Sequence, residues 1–477
     1  MLSKSFRIAT GLTALALTGC PTRDISQIDT SPAIEITRPI TVKTNRQVDI
    51  LFVIDNSNSM AEEQNSIANN FPKFINVLQS VQGGLPDVHI GVTSSDVGIG
   101  GTFTADQCVL FGDHGLLQNT PRGACDAPNG GMRFISDVAA PGSDGGTRVR
   151  NYPGNLADVF SCIAKLGTPG CGFEQHLEAM KEALDGTTNP IDNAGFLRDD
   201  AYLAVVILGD EDDCSAMDPS LFDPNPQLDT INSLYGPNTS YRCTEWGVSC
   251  DGINLPRVAA DYTSCVPRAD SPYLRVPNYY YQFLRTLKGD PNLLIGAVIA
   301  GNPTPFGVTF DSDGALALKH SCSSANGVAD PAIRLKAFVD QFGSHGTFVS
   351  ICQADLSDAL TKIAQLLAKI LSTPCLDEKV SPADIDPSEP GLQVDCQVSD
   401  VLGFGSDSES ETVVPRCAMV DDATPQRTTL PCWWASIDPA TCPSAISTTH
   451  LALHVERATD TVNVTEVARC SQATETP

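Results

Sequence analysis

The sequence predicts an α/β fold with a doubly wound, mainly parallel sheet, and two observations support this prediction. Short apolar runs rich in β-branched residues alternate with amphipathic helical patterns between residues 48 and 371. Each apolar run ends abruptly in polar residues, which is typical of strands buried on both faces of a parallel sheet. Because strand and helix alternate repeatedly, we expect helices to pack on this sheet. The pattern stops near residue 372, which predicts a second and smaller domain.

The first predicted strand covers residues 48–54 and ends at Asp55, with Ser57 and Ser59 at the next alternate positions. Open α/β sheets bind their ligands at the carboxyl ends of the strands. A carboxylate and two hydroxyl groups at such an end are candidate ligands for a hard cation. The alternative is that these residues only cap a helix or form a turn, since Ser and Asp favour both positions.

The elements that follow are predicted from their apolar spacing. A helical stripe contains Pro72, which predicts a kink or two separate pieces. A second strand is predicted at 88–93, and residues 96–166 form a long insertion held by disulfides, with a short strand near 132–135. A glycine-rich turn at 166–172 then begins another helix. The apolar stripes of the two helices consist of Ile67, Phe71, Phe74, Ile75 and Leu78, and of Leu177, Met180 and Leu184.

The clearest strand is predicted at residues 201–208, and it ends at Gly209 and Asp210. A second cysteine-bearing insertion follows at 214–265, for which the sequence gives no secondary structure. The alternation of helix and strand then resumes and completes a domain at residues 47–372. Its last predicted elements are a helix at 279–287, a strand at 293–299, a helix at 331–342, a strand at 346–351 and a helix at 356–370.

Residues 373–477 predict a small, cysteine-rich β domain. Short alternating runs such as residues 451–455 lie between six cysteines, and disulfides compensate for a thin apolar core. The chain has 17 cysteines, and 16 remain when Cys20, a predicted lipidation site, is excluded. These 16 predict up to eight disulfides in an oxidising compartment. The ten in the first domain and the six in the second are both even numbers, so we expect bridging within each domain. Six cysteines allow 15 pairings, and the sequence does not choose among them.

The first twenty residues predict export. Lys4 and Arg7 precede an apolar core at residues 8–17 that is too short to span a bilayer. The sequence Leu-Thr-Gly-Cys at residues 17–20 resembles the lipobox of bacterial lipoproteins, which implies a signal peptide at 1–19, lipidation of Cys20 and a linker at 20–46. An ordinary cleaved signal is the alternative. We expect a lipid-anchored protein of the bacterial cell envelope, in the outer membrane because Pro21, rather than Asp, follows Cys20.

The charge of the chain restricts its partners. A formal net charge of -27, from 57 acidic and 30 basic residues, argues against nucleic acid or anionic lipid as a main partner. Metal ions and cationic partners fit this charge, as does a soluble surface with no specific role. The chain has no C-x-x-C pair and only seven His residues, which argues against a zinc or iron–sulfur centre.

The sequence Asp55-x-Ser57-x-Ser59 after a buried strand resembles the metal-ion-dependent adhesion site (MIDAS) of von Willebrand factor type A (VWA) domains. The resemblance covers residues 48–371 in element order. It implies that the two serines bind a divalent cation, usually Mg²⁺, and that Asp55 orients it. It also implies a second Asp at Asp210, although this chain has Gly-Asp-Glu at residues 209–211 where the family commonly has Thr-Asp-Gly.

The same resemblance implies a Thr ligand from a further loop. Thr168 is the candidate, while counting back from the following helix brings Cys171 to that place instead. Hydroxyl ligands leave Mg²⁺ electrophilic, and an open coordination position can accept a carboxylate from a partner. We therefore expect a protein that is not an enzyme and that binds a protein or cell-surface ligand, in adhesion or in envelope assembly.

Two alternative functions stay open. The first is a metal-assisted hydrolase that uses Asp55 and Asp210, with Glu211 or Asp212 as general base. The second is a structural scaffold of the envelope with a vestigial site. Residues 211–213 are three consecutive acids, which form either a second cation site or a solvated acidic loop.

Overall fold

A computed structural model describes most of the chain beyond residue 46. The predicted signal peptide at 1–19, the lipidation site Cys20 and most of the predicted linker lie outside the described residues. In the part that is described, no helix is long and apolar enough to cross a membrane. The described residues are 35–40, 47–80, 84–100, 108, 112–123, 126–140, 147–325, 327–371, 375–376, 380–402, 410–422, 424–426, 428–439, 442, 448–457 and 464–471.

The described residues form strands, α-helices and short 3₁₀ turns. The strands are β1 (Glu35–Ile40), β2 (Gln47–Ile54), β3 (Asp87–Ser94), β4 (Ile135–Ala139), β5 (Arg148–Arg150), β6 (Tyr202–Leu208), β7 (Val248–Cys250), β8 (Ile253–Asn254), β9 (Ala260–Tyr262), β10 (Cys265–Pro267), β11 (Leu294–Ala300), β12 (Phe306–Phe310), β13 (Leu316–Leu318), β14 (Cys322–Ser324), β15 (Gly327–Ala329), β16 (Gly346–Ser350), β17 (Cys396–Leu402), β18 (Ser410–Val414), β19 (Cys432–Ile437), β20 (Leu451–Glu456) and β21 (Val464–Ser471). The helices are α1 (Ala61–Gln79), α2 (Leu156–Ala164), α3 (His176–Leu184), α4 (Ser240–Gly247), α5 (Pro277–Lys288), α6 (Ile333–Val339) and α7 (Ser357–Leu371). The 3₁₀ turns lie at Pro219–Phe222, Pro226–Leu228, Pro291–Leu293 and Asp340–His345.

The central sheet has seven strands in the order β16-β11-β6-β2-β3-β4-β5. The strands from β16 to β3 are parallel, and β4 and β5 extend the sheet in the antiparallel sense. Strands β2, β6 and β11 are buried along almost their whole length because helices cover both faces. Alternate side chains of β2 pack toward α1, α2 and α7 on one face and toward α3, α5 and α6 on the other. The predicted α/β architecture with mainly parallel strands is therefore present.

Helix α1 is a single element that includes Pro72, where the sequence predicted a kink or two pieces. A proline removes one backbone hydrogen bond from a helix. The aromatic packing of the helix compensates for this loss: Phe71 stacks on Phe160 with ring centroids 3.6 Å apart, and Phe74 meets Phe52 edge to face at 6.1 Å. The buried apolar stripe thus keeps the helix packed against the sheet on both sides of Pro72.

The two insertions contain structure that the sequence did not reveal. Residues 96–166 contribute α2 to one face of the sheet and add β4 and β5 to its edge, and the strand expected near 132–135 begins at Ile135. Residues 214–265 contain α4 and the small sheet β10-β7-β8. Short elements of this kind have too few residues for their apolar period to be distinctive.

A second sheet, in the order β1-β21-β17-β18, is antiparallel throughout. Its core includes Val394, Val398, Trp433 and Leu453, and β19 pairs with β20 beside it. The predicted β-rich character of the C-terminal region is therefore present. Strand β1 lies in the stretch assigned to the linker at 20–46, and its partner β21 is near the other end of the chain.

Each described disulfide joins two cysteines of the same region, as the sequence predicted. Cys162 is also disulfide-bonded. The seven described bridges are Cys108–Cys171, Cys214–Cys243, Cys250–Cys265, Cys322–Cys352, Cys375–Cys442, Cys396–Cys470 and Cys417–Cys432.

Candidate metal centre

Strands β2 and β6 are parallel neighbours, and they deliver Asp55 and Asp210 to the same edge of the sheet. Ile54 pairs with Leu208, and the Asp55 amide donates to the Leu208 carbonyl at 2.9 Å. Asp55 is fully buried and Asp210 is 5% exposed. Burial, and then the charge of Asp210, raise the pKa of Asp55 to about 8.

Ser57 and Ser59 complete a four-residue cluster with these two acids. Oδ1 of Asp55 accepts a hydrogen bond from the Ser57 amide at 2.7 Å. The hydroxyl oxygens of Ser57 and Ser59 are 3.3 Å apart, and Ser59 lowers the pKa of Asp210 against the larger, opposite effect of burial. Ser57 is buried and Ser59 is exposed, so the cluster opens to solvent on the Ser59 side. The structure thus brings together four of the five residues that the resemblance implies for the metal site.

The loop that carries Thr168 lies close to the backbone of Asp55. The Gln64 side-chain amide donates to the Asp55 carbonyl at 2.8 Å and to the Gly167 carbonyl at 2.9 Å. Thr168 follows directly and is half-buried, and its role as a ligand stays a prediction. The alternative, Cys171, is disulfide-bonded to Cys108, so it offers no oxygen to a hard cation.

Glu174 is a residue of the site that the sequence did not reveal. The loop before α3 is held on both sides: the Gly170 amide donates to the Asn56 carbonyl at 2.8 Å, and the Gln175 amide donates to the Ser95 carbonyl at 3.0 Å. Glu174 between them is 2% exposed and interacts electrostatically with Asp55. Its position two residues before α3 was readable from the sequence, but its burial was not, because the anchoring carbonyls follow two other strands.

Glu174 belongs to a larger group of acids around Asp55 and Asp210. Its carboxyl group interacts electrostatically with that of Glu211. Burial raises the pKa of Glu174 well above its usual range, with the charge of Glu211 as the next cause, and burial and then the charge of Asp330 do the same for Glu211. Burial also raises the pKa of Asp210 to about 6. This environment disfavours the charged form of these acids, and a bound cation would offset that effect.

Several oxygen atoms of this group are buried and have no hydrogen-bond partner among the described residues. They are Oδ2 of Asp55, Oδ1 of Asn56, Oε1 of Glu174 and Oδ1 of Asp210. An unsatisfied buried polar atom costs about 1–3 kcal/mol, so several in one place require an explanation. Carboxylate and amide oxygens are the ligands that Mg²⁺ and Ca²⁺ prefer. The residues present therefore fit a divalent cation.

Two glycines allow the loops of the site to approach so closely. A Cβ atom on Gly170 would lie 2.2 Å from Oδ1 of Asn56. A Cβ atom on Gly209 would lie 2.4 Å from Nε2 of His176 and 3.4 Å from Oδ2 of Asp55. The buried imidazole of His176 thus fills the space in which a Thr side chain at position 209 would lie, which accounts for this departure from the VWA pattern.

The acids after Glu211 have structural partners. Asp212 accepts hydrogen bonds from the amides of Ile333, Arg334 and Leu335 at 2.8–3.1 Å and so caps α6. Asp213 is buried and pairs with the buried Arg334 at 2.9 Å. These two residues form neither a solvated loop nor a second cation site. Within the described ranges, no three His, Cys, Asp or Glu side chains are arranged to hold a metal ion, so the candidate centre depends on hydroxyl groups as well.

No family model matches the sequence, and no curated protein matches it. Among solved structures, the chain is similar to the pilus adhesin SpaC from Lactobacillus rhamnosus GG in its open conformation, with 13% identity over 92% of this chain and 40% of that chain and a TM-score of 0.30. It is similar to a von Willebrand factor type A protein from Catenulispora acidiphila, with 9% identity over 94% of this chain and 67% of that chain and a TM-score of 0.28. It is also similar to the adhesive tip pilin GBS104 from Group B Streptococcus agalactiae, with 10% identity over 93% of this chain and 82% of that chain and a TM-score of 0.27. The chain spans about two fifths of the length of SpaC, and TM-scores this low do not assign it to a family.

Proposed function

We propose that this protein binds a protein or cell-surface ligand through a divalent cation held by Asp55, Ser57, Ser59 and Asp210. The observation that carries the proposal is the pair of buried carboxylate oxygens, Oδ2 of Asp55 and Oδ1 of Asp210, that have no partner within the described part of the chain. A cation between the two strand ends would satisfy both oxygens and offset the repulsion between the two acids. Thr168 is the proposed further ligand.

The exposure of the site favours binding over catalysis. Mg²⁺ keeps several water ligands in proteins, and the exposed Ser59 lies on the side where such waters would meet solvent. A carboxylate from a partner can replace one of these waters. We therefore propose a non-enzymatic binding role, with Mg²⁺ or another divalent ion as the cofactor.

The location of the protein is part of the proposal. The seven described disulfides are typical of proteins in an oxidising compartment outside the cytoplasm. We propose that a lipid on Cys20 anchors the chain to the bacterial envelope. Metabolic labelling with a fatty acid tests this, and the label should be lost in a Cys20→Ser variant.

The metal requirement is tested by measuring retention of an envelope ligand. We expect immobilised protein to capture a partner from envelope extract in Mg²⁺, to release it in chelator, and to capture it again when Mg²⁺ is restored. Asp55→Ala should abolish capture, whereas Glu62→Ala, a change at an exposed acid of α1, should not. Capture that persists both in chelator and in Asp55→Ala would contradict the proposal.

A metal-assisted hydrolase is the second candidate, and one observation favours it. Burial raises the pKa of Glu211, as is common for general bases. Asp212 is the weaker base candidate because its oxygens accept three backbone hydrogen bonds. Turnover of ester, phosphate or peptide substrates that is lost in Glu211→Gln would favour the hydrolase, and its absence would favour the binding role.

A further inference from the structure

The imidazole of His176 lies beside the candidate metal centre, and neither of its ring nitrogens has a hydrogen-bond partner among the residues that the structure describes. His176 is the first residue of α3 and is fully buried. A neutral imidazole carries one N–H donor, and a buried donor without an acceptor costs free energy. Because most buried polar side chains have a partner, this imidazole requires an explanation.

An acceptor without a donor lies close to this imidazole, next to Gly209. A Cβ atom on Gly209 would lie 2.4 Å from Nε2 of His176 and 3.4 Å from Oδ2 of Asp55, so the two atoms are separated by at most the sum of these distances, about 5.8 Å. Oδ2 of Asp55 is buried and accepts no hydrogen bond within the described part of the chain. An unsatisfied donor and an unsatisfied acceptor thus lie next to the same glycine.

The other oxygen of the Asp55 carboxyl group already has its donors. Oδ1 accepts hydrogen bonds from the Ser57 amide at 2.7 Å and from the Ser95 hydroxyl at 3.4 Å. These bonds fix one side of the carboxyl group, whereas no described residue holds Oδ2. Because a carboxylate oxygen has two lone pairs, Oδ2 can accept a hydrogen bond and bind a cation at the same time. Carboxylates that bind metals are commonly hydrogen-bonded by residues that do not touch the metal.

The backbone at position 209 makes room for the imidazole. The Gly209 amide donates to the Ile299 carbonyl at 3.2 Å, which ties the turn after β6 to β11. Even the methyl group of an alanine at position 209 would displace the imidazole, since its carbon would lie 2.4 Å from Nε2. The VWA pattern commonly has a Thr here, and its hydroxyl group is also a hydrogen-bond donor. This chain has no side chain at position 209 and brings an N–H donor from α3 instead.

We propose that His176 is a positioning residue of the metal centre, whose imidazole N–H donates to Oδ2 of Asp55 and orients that carboxylate toward the cation. This inference rests on the proposed function, because it concerns the cation that Asp55 binds. The imidazole adds no positive charge at neutral pH that would repel this cation, since burial lowers the pKa of His176 to about 4. Loss of such a supporting hydrogen bond commonly weakens metal binding about 10- to 100-fold.

Calorimetric titration of the full chain with Mn²⁺, after treatment with chelator, tests this inference. We expect His176→Leu to bind Mn²⁺ about 10- to 100-fold more weakly than the wild type. His176→Gln should recover most of this loss, because its side-chain amide keeps an N–H donor. Circular dichroism confirms that each variant is folded. If His176→Leu does not fold, His176→Phe replaces it, since its ring fills the same space without a donor.

His89→Leu is the matched control. His89 is also largely buried, but it pairs in register with Asp49 near the start of β2, whereas Asp55 follows the end of that strand. His89 therefore lies at the opposite edge of the sheet, and His89→Leu should bind Mn²⁺ as tightly as the wild type.

The outcomes separate this inference from the proposed function. Unchanged Mn²⁺ affinity in His176→Leu would overturn the role of His176 and leave the proposed cation at Asp55 in place. Equal losses in His176→Leu and His176→Gln would mean that the imidazole only fills space, and an equal loss in His89→Leu would mean that any buried His supports the fold to the same degree; either result would overturn the inference. No bound Mn²⁺ in the wild type would overturn both the inference and the proposed function.

Discussion

His89 shows how one buried side chain makes stability depend on pH. Its Nδ1 donates to the Phe196 carbonyl at 2.9 Å, and burial, then the charge of Arg198, lower its pKa to about 4 from 6.5. Between pH 6.5 and pH 4 the unfolded chain therefore binds a proton that the folded chain does not, so stability falls as the pH is lowered through this window. The loss amounts to about 3 kcal/mol when the shift is converted at 1.36 kcal/mol per pH unit.

We expect His89→Gln to flatten this part of the stability curve, because Gln keeps a donor for the Phe196 carbonyl and does not titrate. The measurement is the free energy of unfolding in urea at several pH values from 4 to 7. Wild-type and variant curves that run parallel over this range would contradict the assignment.

At the residue level, the part of the site that is contiguous in sequence was predictable. Asp55, Ser57 and Ser59 follow one strand, and Asp210 follows another that must end at the same edge if the sheet is parallel. Glu174 was not predictable, because its burial depends on Asn56 and Ser95, which follow two different strands. Local sequence patterns indicate the type of an element and where it ends. Whether a side chain such as Glu174 is buried depends instead on contacts with residues distant in sequence.

Among the elements, α6 depends on a side chain that comes from another part of the chain. Asp212 accepts hydrogen bonds from three amides at the start of this seven-residue helix. Such a cap is worth about 1–2 kcal/mol, and leaving buried amides without partners adds to the cost. We expect Asp212→Ala to lower the free energy of unfolding by about 2 kcal/mol, measured from the urea midpoint at pH 7. Asp313→Ala, at an exposed turn, should change it by less than about 0.5 kcal/mol, and equal losses in both variants would contradict the capping role.

Long elements were predicted well from the sequence, and the short elements of the two insertions mostly were not. The apolar run of β2 and the stripe of α7 each span several periods of their element, so they indicate both its type and its extent. Helix α2 and strand β5 have nine and three residues and lie in a glycine-rich insertion. Strand β1 is defined by pairing with β21, which no local pattern reports.

The molecule as a whole combines a strongly negative charge with a buried group of acids at one edge of its central sheet. With a formal net charge of -27, the folded chain attracts divalent cations over a long range. Two disulfides lie near the loops that bear the site: Cys171 of Cys108–Cys171 precedes Glu174 by three residues, and Cys214–Cys243 lines a small cavity together with Glu174 and Glu211. Covalent bridges thus restrain two of the loops that carry these acids.

Divalent cations should therefore stabilise the whole fold. An ion that binds only the folded chain adds about 2.7 kcal/mol when its concentration is 100 times its Kd. We expect the Tm of the wild type, measured by calorimetry without reductant, to be several degrees higher in Mg²⁺ than in chelator. The Tm of Asp55→Ala should rise less in Mg²⁺ than that of the wild type, because it lacks the carboxylate that holds the ion, while Glu62→Ala should respond like the wild type. An unchanged Tm for the wild type at millimolar Mg²⁺ would mean that the buried acids keep their protons instead of binding an ion.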